Sequence, residues 1–477
     1  MTDLILAFRN AKNVVYKVND LPYDPRIKAV KNLRFVIHNK PRNERWKDFD
    51  RSRRMLQEDI FGYDEHLAAK TVLEKKIDLN AIAEEIFDNY DLYHIMERNY
   101  VIQDLSLSNT DVLVFRQIVQ SCHFLLSHDI DLYVINDNPH EQEEYVLTRC
   151  AEALGIPVVI TRRSIVPWRA KVETGFGRRS AHKLLKLSQH GPENQVELDH
   201  YVDSLKGDHT KAFNKWIKAN QDKYKKSYWI WKKELYKLYK RRFNKDHWRN
   251  TKAKYHALKA YEKWQTAADL DQFEYVTYFL HFQPERTTCP EGGIYNQQIN
   301  AIKTLRALLP DHIKVVVKEH TSTYSFKFKR FFRFKDYYQS IAEIEGVYLV
   351  PMEYDPFILI DKSLAMATIT GTSGMEAILR GKPTLYFGNA PFKDCPGSYY
   401  ISDVLNQPGL LEEMLDKERA NKSEAAAAYM SSWLDYSYAE EFDKDDIQNL
   451  QLFSRNAVAL FIHLMTKTDE LEALNKA

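Results

Sequence analysis

Short apolar runs alternate with polar segments through the first 200 residues, in the order expected for strands and helices that follow one another. Residues 131–136 form an apolar run, residues 141–154 a helical segment that ends at Gly155, and residues 156–161 a second apolar run. Strand, loop, helix and strand at this spacing predict a βαβ unit of an open parallel sheet. The other elements predicted in this half are a strand at 33–37 and helices at 51–61 and 79–98.

The alternation becomes denser after residue 274. An almost wholly apolar strand at 275–280 is of the type that is buried on both faces of a sheet. The elements predicted after it are helices at 297–309 and 375–379 and strands at 313–318, 347–350, 367–370 and 384–387. Four or five βα units in about 115 residues predict a second Rossmann-like domain. A long helix at 446–464 is expected to pack back across a domain boundary.

The composition is that of a folded protein of enzyme size. The chain has 477 residues, 44% of them hydrophobic, with few Gly and Pro, which argues against a disordered, collagenous or repeat protein. No uncharged stretch approaches the ~20 residues that span a bilayer, and the first apolar run is too short for a signal peptide, so we expect a cytoplasmic protein. The four cysteines form no CxxC pair, which indicates neither a disulfide framework nor a zinc site.

Charge is concentrated in residues 206–263, called here the basic aromatic segment. It holds 19 Lys or Arg against 5 Asp or Glu, although the net charge of the chain is only +2, and four Trp and six Tyr are interleaved with the cations. Because Gly and Pro are nearly absent, the segment is predicted to be helical. Amphipathic rings beside cations suit the surface of an anionic membrane. Ordinary packing against a domain is the alternative, and no nucleic-acid partner is expected because no recognised binding motif accompanies the charge.

The strongest chemical signal is the stretch TGTSGMEA at 370–377, which joins a predicted strand to a predicted helix. Small residues let the backbone approach a ligand, and the start of the helix offers unpaired N–H groups to a phosphate. The alternative is helix capping by the same hydroxyls, with Glu376 at capping-box spacing from Ser373. The residues predicted to contact phosphate are Thr370, Gly371, Thr372, Ser373, Gly374 and Glu376. No Walker A pattern is present, so ATP hydrolysis is not implied.

Two more polar sets follow strands of the same predicted sheet. Lys318, Glu319 and His320 come after the strand at 313–318, where a cation and an imidazole can bind phosphate and a carboxylate can accept from ribose or a base. A solvated loop is the alternative. Glu285 follows the strand at 275–280 and is predicted to be a catalytic carboxylate, either a base or a nucleophile. Its alternative is a surface glutamate near the start of a helix.

In the first domain, polar residues follow the strand at 131–136. Ligands of open α/β sheets bind at the carboxyl ends of strands, which places these residues at the rim of a pocket. Helix capping and complementarity to the helix dipole are the alternative explanation. The candidates on this side, together with two residues of the loop that holds Glu285, are Asp137, His140, Glu141, His281 and Gln283.

The stretches YFLHFQPERTTCPEGG, VVVKEH and TITGTSGMEAILRGKPTLYFG resemble the capsule polysaccharide biosynthesis family of bacterial glycosyltransferases, over about residues 275–388. That family includes β-Kdo transferases and is similar in layout to sialyltransferases that use CMP-activated sugars. The resemblance implies an α/β protein of GT-B architecture, with two Rossmann-like domains facing a cleft. The basic aromatic segment, predicted above to be helical, would be an insertion in this architecture. It implies that His320, Thr372 and Ser373 contact the donor phosphate, and that neither metal nor cofactor is needed.

The resemblance therefore implies a glycosyltransferase, and the basic aromatic segment predicts that it lies at the inner face of the cytoplasmic membrane. It would transfer a sugar onto a growing capsule or lipopolysaccharide acceptor, and the first hypothesis for the donor is CMP-Kdo, which carries Kdo. A hexosyl or glycerol-phosphate transferase using UDP, GDP or CDP donors is the second hypothesis, and a non-catalytic glycan- or nucleotide-binding subunit of polysaccharide export is the third. The predicted domains are an acceptor domain at 1–200, the basic aromatic region at 201–270, a donor domain at 271–440 and a C-terminal helix at 441–477.

Overall fold

The computed structural model describes most of the chain. The described residues are 2–18, 21–38, 46, 48–87, 90–96, 107–175, 185–206, 245–283, 288–324, 333–334, 336–407, 409–416, 421–443 and 450–476. The predicted catalytic carboxylate Glu285 and residues 207–244 of the basic aromatic segment lie outside these ranges.

The chain forms two compact units, each with a six-stranded sheet. The first unit contains residues 1–201, 289–293 and 430–477, and the second contains residues 202–288 and 294–429. Apolar clusters lie on both faces of each sheet, so helices cover each sheet on two sides. The predicted fold class, an α/β protein with two Rossmann-like domains, is confirmed.

The first unit is built on strands added in both directions from β1. Its strands are β1 (Val14–Lys17), β2 (Leu33–His38), β3 (Arg54–Leu56), β4 (Leu132–Asn136), β5 (Val158–Arg163) and β6 (Ala170–Glu173). They lie in the order β3-β2-β1-β4-β5-β6, and only the β5–β6 pair is antiparallel among these strands. The helices of this part are α1 (Thr2–Asn10), α2 (Gln57–Ile60), α3 (Glu65–Glu74), α4 (Leu79–Phe87), α5 (Tyr90–Met96), α6 (Leu107–Ser127) and α7 (Gln142–Ala153).

Two described α-helices lie between the first sheet and the second sheet along the chain. Helix α8 (Pro192–Lys206) begins in the first unit and ends in the second. Helix α9 (Lys245–Trp264) is the described end of the basic aromatic segment, and its Ala257 and Tyr261 are buried in the core of the second unit. The Tyr261 hydroxyl donates to the Val350 carbonyl. This part of the segment therefore packs as an ordinary core helix, and none of the described helices is long and apolar enough to cross a bilayer.

The second unit has a fully parallel sheet among its described strands, in the order β12-β11-β10-β7-β8-β9. Its strands are β7 (Tyr275–Phe279), β8 (Lys314–Lys318), β9 (Val347–Val350), β10 (Ala365–Thr368), β11 (Thr384–Tyr386) and β12 (Ser398–Tyr400). Its helices are α10 (Gln298–Leu308), α11 (Tyr337–Ala342), α12 (Pro356–Lys362), α13 (Ser373–Leu379), α14 (Ile401–Asn406), α15 (Leu410–Leu415) and α16 (Ser423–Ser431). Val315 and Val317 face one apolar cluster and Val316 faces the other, which explains the continuous apolar sequence of β8.

The chain then returns to the first unit with α17 (Leu450–Thr466) and α18 (Thr468–Lys476). The Phe461 ring of α17 stacks on Tyr16 of β1, with 3.8 Å between ring centroids. Residues 430–440 also belong to this unit rather than to the predicted donor domain, because Tyr438 forms a β-bridge with Ala170.

Two predicted elements need correction. Residues 51–61 are not one helix: a 3₁₀ turn, the edge strand β3 and the four-residue α2 occupy them, because β3 pairs with β2. Within the helix predicted at 79–98, the described residues form α4 and α5, and residues 88–89 and 97–98 lie outside the described ranges. Strand β10 spans 365–368 rather than 367–370, so Thr370 belongs to the loop that follows the strand.

Candidate functional site

The sheet of the second unit changes its direction of strand addition between β7 and β10. The chain builds β7, β8 and β9 outward on one side, then returns to place β10 against the other side of β7. In open α/β sheets, ligands bind outside the carboxyl ends of the strands at such a point. The residues that follow β7, β10 and the neighbouring β8 therefore define the candidate site.

His281, which follows β7, contacts the end of β10. Its ring Nε2 lies 2.9 Å from the Thr368 hydroxyl oxygen and accepts a longer hydrogen bond from the Ile369 amide, at 3.3 Å. The Thr368 oxygen also accepts from the Gly371 N–H, at 3.1 Å. One buried imidazole thus holds the loop 368–371 against the end of the adjacent strand.

Gly371 lies in a space that accepts no side chain without movement. A Cβ built there would be 2.9 Å from the Thr368 oxygen, 3.1 Å from Cε1 of His281 and 3.2 Å from the Ser373 hydroxyl. The same distances show that His281, predicted on the acceptor side, lies among the residues predicted to bind the nucleotide sugar. Sequence spacing alone could not place it there, because the pairing of β7 with β10 is long-range.

Helix α13 begins directly after this loop. Thr372 is its N-cap residue and is exposed, and among the described residues no side-chain hydrogen bond from Thr372 caps the helix. Glu376 is half-buried, and burial raises its pKa to about 7, although Arg380 acts to lower it. Within the described part of the chain, the start of α13 therefore has no capping box, which was the alternative explanation of the motif. Thr372 lies at the surface.

Gly374 has a packing role that differs from its predicted contact with phosphate. A Cβ at this buried position would be 2.3 Å from Cζ of Phe392 and 2.9 Å from Cγ2 of Thr384. The Gly374 carbonyl accepts from the Thr384 hydroxyl at 2.9 Å. Glycine here lets helix α13 approach β11 closely, a requirement that the sequence motif does not distinguish from ligand approach.

Lys318, the last residue of β8, is 6% exposed. Burial lowers the pKa of its ammonium to about 8, while Glu319, Glu353 and Asp355 act to raise it. Among the described residues, no carboxylate lies close enough to form an ion pair with it. His320, two residues later, is exposed, with its ring 6.0 Å from that of Phe282. Of these two predicted phosphate contacts, His320 is therefore exposed to solvent and Lys318 is buried at the strand end.

Glu319 is placed differently from its two neighbours. Its side chain is buried, and both carboxylate oxygens accept hydrogen bonds from the protein. The donors are the His320 amide at 2.6 Å, the Thr323 hydroxyl at 3.0 Å, the Tyr338 hydroxyl at 2.6 Å, and Nε and Nη2 of Arg333 at 3.1 and 3.0 Å. This arrangement corrects the predicted contact of Glu319 with a ribose or base, because its acceptor positions face protein donors.

Arg333 is a residue that the sequence analysis missed. It lies in the stretch FKFKRFFRFKDYY, where nothing in the pattern distinguishes it from the other cations. In the structure it is 8% exposed, whereas a lone surface arginine would be solvated. Burial acts to lower its pKa, but Glu319 outweighs burial and the pKa is raised well above the ordinary value.

The predicted residues of the first unit lie at the end of β4, beside β1, where the first sheet changes its direction of strand addition. Asp137 has a left-handed φ of 66°. The backbone N–H of His140 donates to Oε2 of Glu144 at 3.1 Å, and the ring Nδ1 of His140 lies 3.3 Å from the same oxygen. Nζ of Lys17 lies 3.8 Å from the other carboxylate oxygen, Oε1. Burial acts to raise the pKa of Glu144, but His140 and Lys17 outweigh it and lower the pKa to about 2. Glu141 is exposed.

A second buried ionic cluster of the first unit was also missed. Glu291 accepts from the Asn138 amide and from Arg162, and Arg162 also donates to Glu173 at 2.8 Å. Lys171 Nζ lies 2.5 Å from the other oxygen of Glu173. The sequence shows these residues only as scattered charges. Gln283, predicted on the acceptor side, donates to the Thr288 hydroxyl within the second unit.

No group of three or more His, Cys, Asp or Glu side chains within the described ranges is arranged to hold a metal ion. The four cysteines are free and buried.

A family model described as "Capsule polysaccharide biosynthesis protein" matches residues 179–433, which is more than half of the chain. The chain belongs to this family. The matched range contains every strand of the second sheet, from β7 to β12, and all of the residues that meet at its strand ends. In this capsule polysaccharide biosynthesis protein the predicted family resemblance, made on residues 275–388, is therefore confirmed.

Several solved structures resemble the chain weakly. One is "Thermosulfurimonas dismutans KpsC, beta Kdo 2,7 transferase", with 10% identity, a TM-score of 0.31, and coverage of 73% of this chain and 97% of the other. Another is a UDP-GlcNAc 2-epimerase from Neisseria meningitidis bound to UDP-GlcNAc, with 13% identity, a TM-score of 0.24, and coverage of 88% and 99%. A third is Anabaena Alr3699/HepE in complex with UDP-glucose, with 12% identity, a TM-score of 0.27, and coverage of 94% and 99%. No curated protein matches the sequence.

Proposed function

We propose that the protein is a glycosyltransferase that transfers a sugar from a nucleotide-sugar donor to a growing capsule or lipopolysaccharide chain. The observation that carries the proposal is the set of polar groups at the carboxyl ends of three adjacent strands, β10, β7 and β8, of one parallel sheet. Membership of the capsule polysaccharide biosynthesis family supplies the biological setting.

In this proposal the donor phosphate lies over the loop 371–373. The backbone can approach it closely at Gly371, and Thr372 and Ser373 supply hydroxyls. When the bond between the anomeric carbon and the phosphate oxygen breaks, its electron pair passes to the phosphate. Lys318 and His320 then stabilise the charge on the leaving nucleotide, and such preorganised groups are a major source of catalysis. We propose that they make a metal or other cofactor unnecessary.

Glu285 is our proposed catalytic carboxylate. It either removes the proton of the acceptor hydroxyl or attacks the anomeric carbon to form a glycosyl-enzyme intermediate. Asp137, His140 and Glu141 are the proposed acceptor-side residues. A histidine whose ring faces a buried carboxylate, as His140 faces Glu144, has a defined orientation for binding a hydroxyl.

For the donor we propose Kdo carried by CMP. The support is the resemblance of the sequence around His320 and Thr372 to a family that includes β-Kdo transferases. A hexosyl or glycerol-phosphate transferase with a UDP, GDP or CDP donor is the second candidate, since the same strand-end groups fit a diphosphate. A non-catalytic nucleotide- or glycan-binding subunit of polysaccharide export is the third.

Calorimetric titration of the full chain with CMP, CDP, UDP, GDP and ADP separates these candidates. We expect CMP to bind, and His320→Ala to weaken the binding by about 1.5–3 kcal/mol through loss of a charge-assisted bond to phosphate. His312→Ala is the matched control, because His312 is exposed and precedes β8 at the opposite end of the same strand. Preference for a diphosphate would favour the second candidate, and nucleotide binding without turnover would favour the third. Equal affinity of His320→Ala and wild type would overturn the role of His320.

We further propose that the protein acts at the inner face of the cytoplasmic membrane, through the basic aromatic segment. Its excess of cations and its Trp and Tyr rings support this proposal. Since α9 packs in the core of the second unit, the membrane contact falls to residues 207–244 of the segment.

A further inference from the structure

We propose that Arg333 and Glu319 are positioning residues, a buried ion pair that fixes the ends of β7 and β8 for nucleotide binding. The inference rests on the proposed function for its consequence, although its geometry stands independently. Neither residue would touch the ligand. Both would act through the main chain of His281 and His320.

The guanidinium of Arg333 joins the two strand ends. Its Nη2 donates to the His281 carbonyl at 2.8 Å, and Nε and Nη2 together donate to the two oxygens of Glu319. His281 follows β7 and Glu319 follows β8. One planar side chain from outside the sheet therefore sets the separation of two segments that both carry predicted ligand contacts.

Glu319 passes this constraint to His320. Its Oε1 accepts the His320 N–H at 2.6 Å, so the peptide that precedes the His320 side chain is held by the same carboxylate that Arg333 binds. The Thr323 hydroxyl donates to the same oxygen at 3.0 Å, which ties down the turn after His320. The exposed imidazole thus projects from a fixed backbone.

The other side of His281 is held as well. The side-chain amide of Gln298, the first residue of α10, accepts from the His281 N–H at 2.7 Å and donates to the His281 carbonyl at 3.0 Å. With its ring at Thr368, His281 links β10, β7 and, through Arg333, β8. The three strand ends of the candidate site form one hydrogen-bonded frame.

The pair is surrounded by further donors and by an aromatic face. The Tyr338 hydroxyl donates to Glu319 at 2.6 Å and accepts from Tyr324 at 2.5 Å, and the Arg333 guanidinium lies 4.7 Å from the Tyr337 ring centroid. Buried ion pairs are often no more stabilising than apolar residues of the same volume. A fully satisfied ionic cluster at this position is therefore better explained by the geometry it imposes than by stability.

The test compares Arg333→Met with Arg333→Lys in the full chain. Lysine retains the charge opposite Glu319, but a single ammonium cannot reproduce the planar fork that binds two carboxylate oxygens and a carbonyl. We expect Arg333→Lys to retain much of the thermal stability that Arg333→Met loses. The Kd for CMP should be at least tenfold above that of wild type in both variants. Hydrogen exchange of the peptide 318–324, which contains the His320 amide, should be faster in both.

Two matched variants complete the design. Tyr337→Phe removes a hydroxyl 3.5 Å from Nη1 of Arg333 but leaves the bonds to Glu319 and His281, so CMP affinity and exchange at 318–324 should equal wild type. Ile341→Val lowers stability from a buried position of α11 without touching the frame. Two outcomes would show that the ion pair has only a structural role. In the first, Arg333→Lys recovers CMP affinity together with thermal stability. In the second, Arg333→Lys and Ile341→Val have the same melting temperature and lose the same CMP affinity.

Failure of the proposed function gives a different result. If the wild type bound none of the five nucleotides, the glycosyltransferase proposal would fail, yet exchange at 318–324 would still report on the frame. Unchanged exchange in Arg333→Lys and Arg333→Met would overturn the positioning role whatever the ligand is.

Discussion

Gly371 is a position at which the candidate site accepts no side chain without movement. The loop 368–371 is held by His281, and any Cβ at 371 must displace the Thr368 oxygen or the His281 ring. Gly371→Ala is therefore expected to weaken CMP binding by tenfold or more while the chain stays folded. Calorimetry and thermal melting measure the two effects, and Gly62→Ala, in an exposed turn of the first unit, is the control. Unaltered affinity would show that the loop carries no ligand.

Lys318 gives the site a predicted pH dependence. Its pKa in the folded chain is about 8, below the ordinary 10.5, because burial disfavours the ammonium. The unfolded chain then binds more protons than the folded chain between about pH 8 and 10.5, so this residue makes stability rise with pH in that window. The affinity for a phosphate ligand changes with pH in the opposite direction to stability, because a phosphate binds the charged ammonium of Lys318 more tightly than the neutral amine.

The affinity for CMP should consequently fall as pH rises above about 8, by up to tenfold per pH unit. Calorimetric titrations between pH 6.5 and 9.5 measure this slope. In Lys318→Met the slope above pH 8 should vanish and affinity should be uniformly low. A slope that survives the substitution would assign the titration to another group.

At the residue scale, the sequence predicted the loop of small residues and the polar groups of the candidate site. It could not predict the hydrogen bonds and ion pairs that fix the positions of these groups. Thr372 and His320 lie in the segments that follow β10 and β8, so strand order places them. Glu319 stands between Lys318 and His320 in sequence, yet its carboxylate is bound by Arg333, 14 positions away in the chain. Such partners are chosen by tertiary packing, which leaves no periodic signal.

At the scale of elements, helix α13 depends on close contact with β11. Gly374→Ala would place a methyl group against Phe392 and Thr384, and overpacking of this kind costs about 1–3 kcal/mol. We expect a lower melting temperature, and partial recovery in the double variant Gly374→Ala/Phe392→Leu, which removes the ring. A double variant no more stable than Gly374→Ala alone would show that the loss has another cause.

Strands buried on both faces were the most predictable elements, because β4 and β7 are apolar at four of five positions and β8 has three consecutive valines between its terminal lysines. Elements at sheet edges were not. Strand β3 has three half-buried residues, RML, and the preceding arginines make the stretch look helical. Strand β12 reads SYY, too short to stand out from a loop. Their pairing partners supply the structure that their own sequences do not specify.

At the scale of the whole molecule, the basic aromatic segment predicts binding to anionic vesicles. Replacing Lys211, Lys215, Lys218 and Lys223 by Glu changes charge only outside α9, and so spares the Tyr261 contacts. We expect the variant to remain in the supernatant when wild type sediments with vesicles that contain phosphatidylglycerol. A matched variant with four Lys→Arg replacements should sediment like wild type. Equal sedimentation of the charge-reversed form would leave packing as the explanation of the segment.

The route of the chain determines how the protein can be dissected in the laboratory. The first unit is assembled from three stretches, 1–201, 289–293 and 430–477, and the short middle one supplies Glu291 to Asn138 and Arg162. A truncation at residue 201 would remove the Glu291 partner of Arg162 and would expose the surface of β1 that Phe461 covers. Fragments cut at a single point of the linear sequence should therefore aggregate when they are expressed. Separate study of the first unit calls for a covalent fusion that brings all three stretches together.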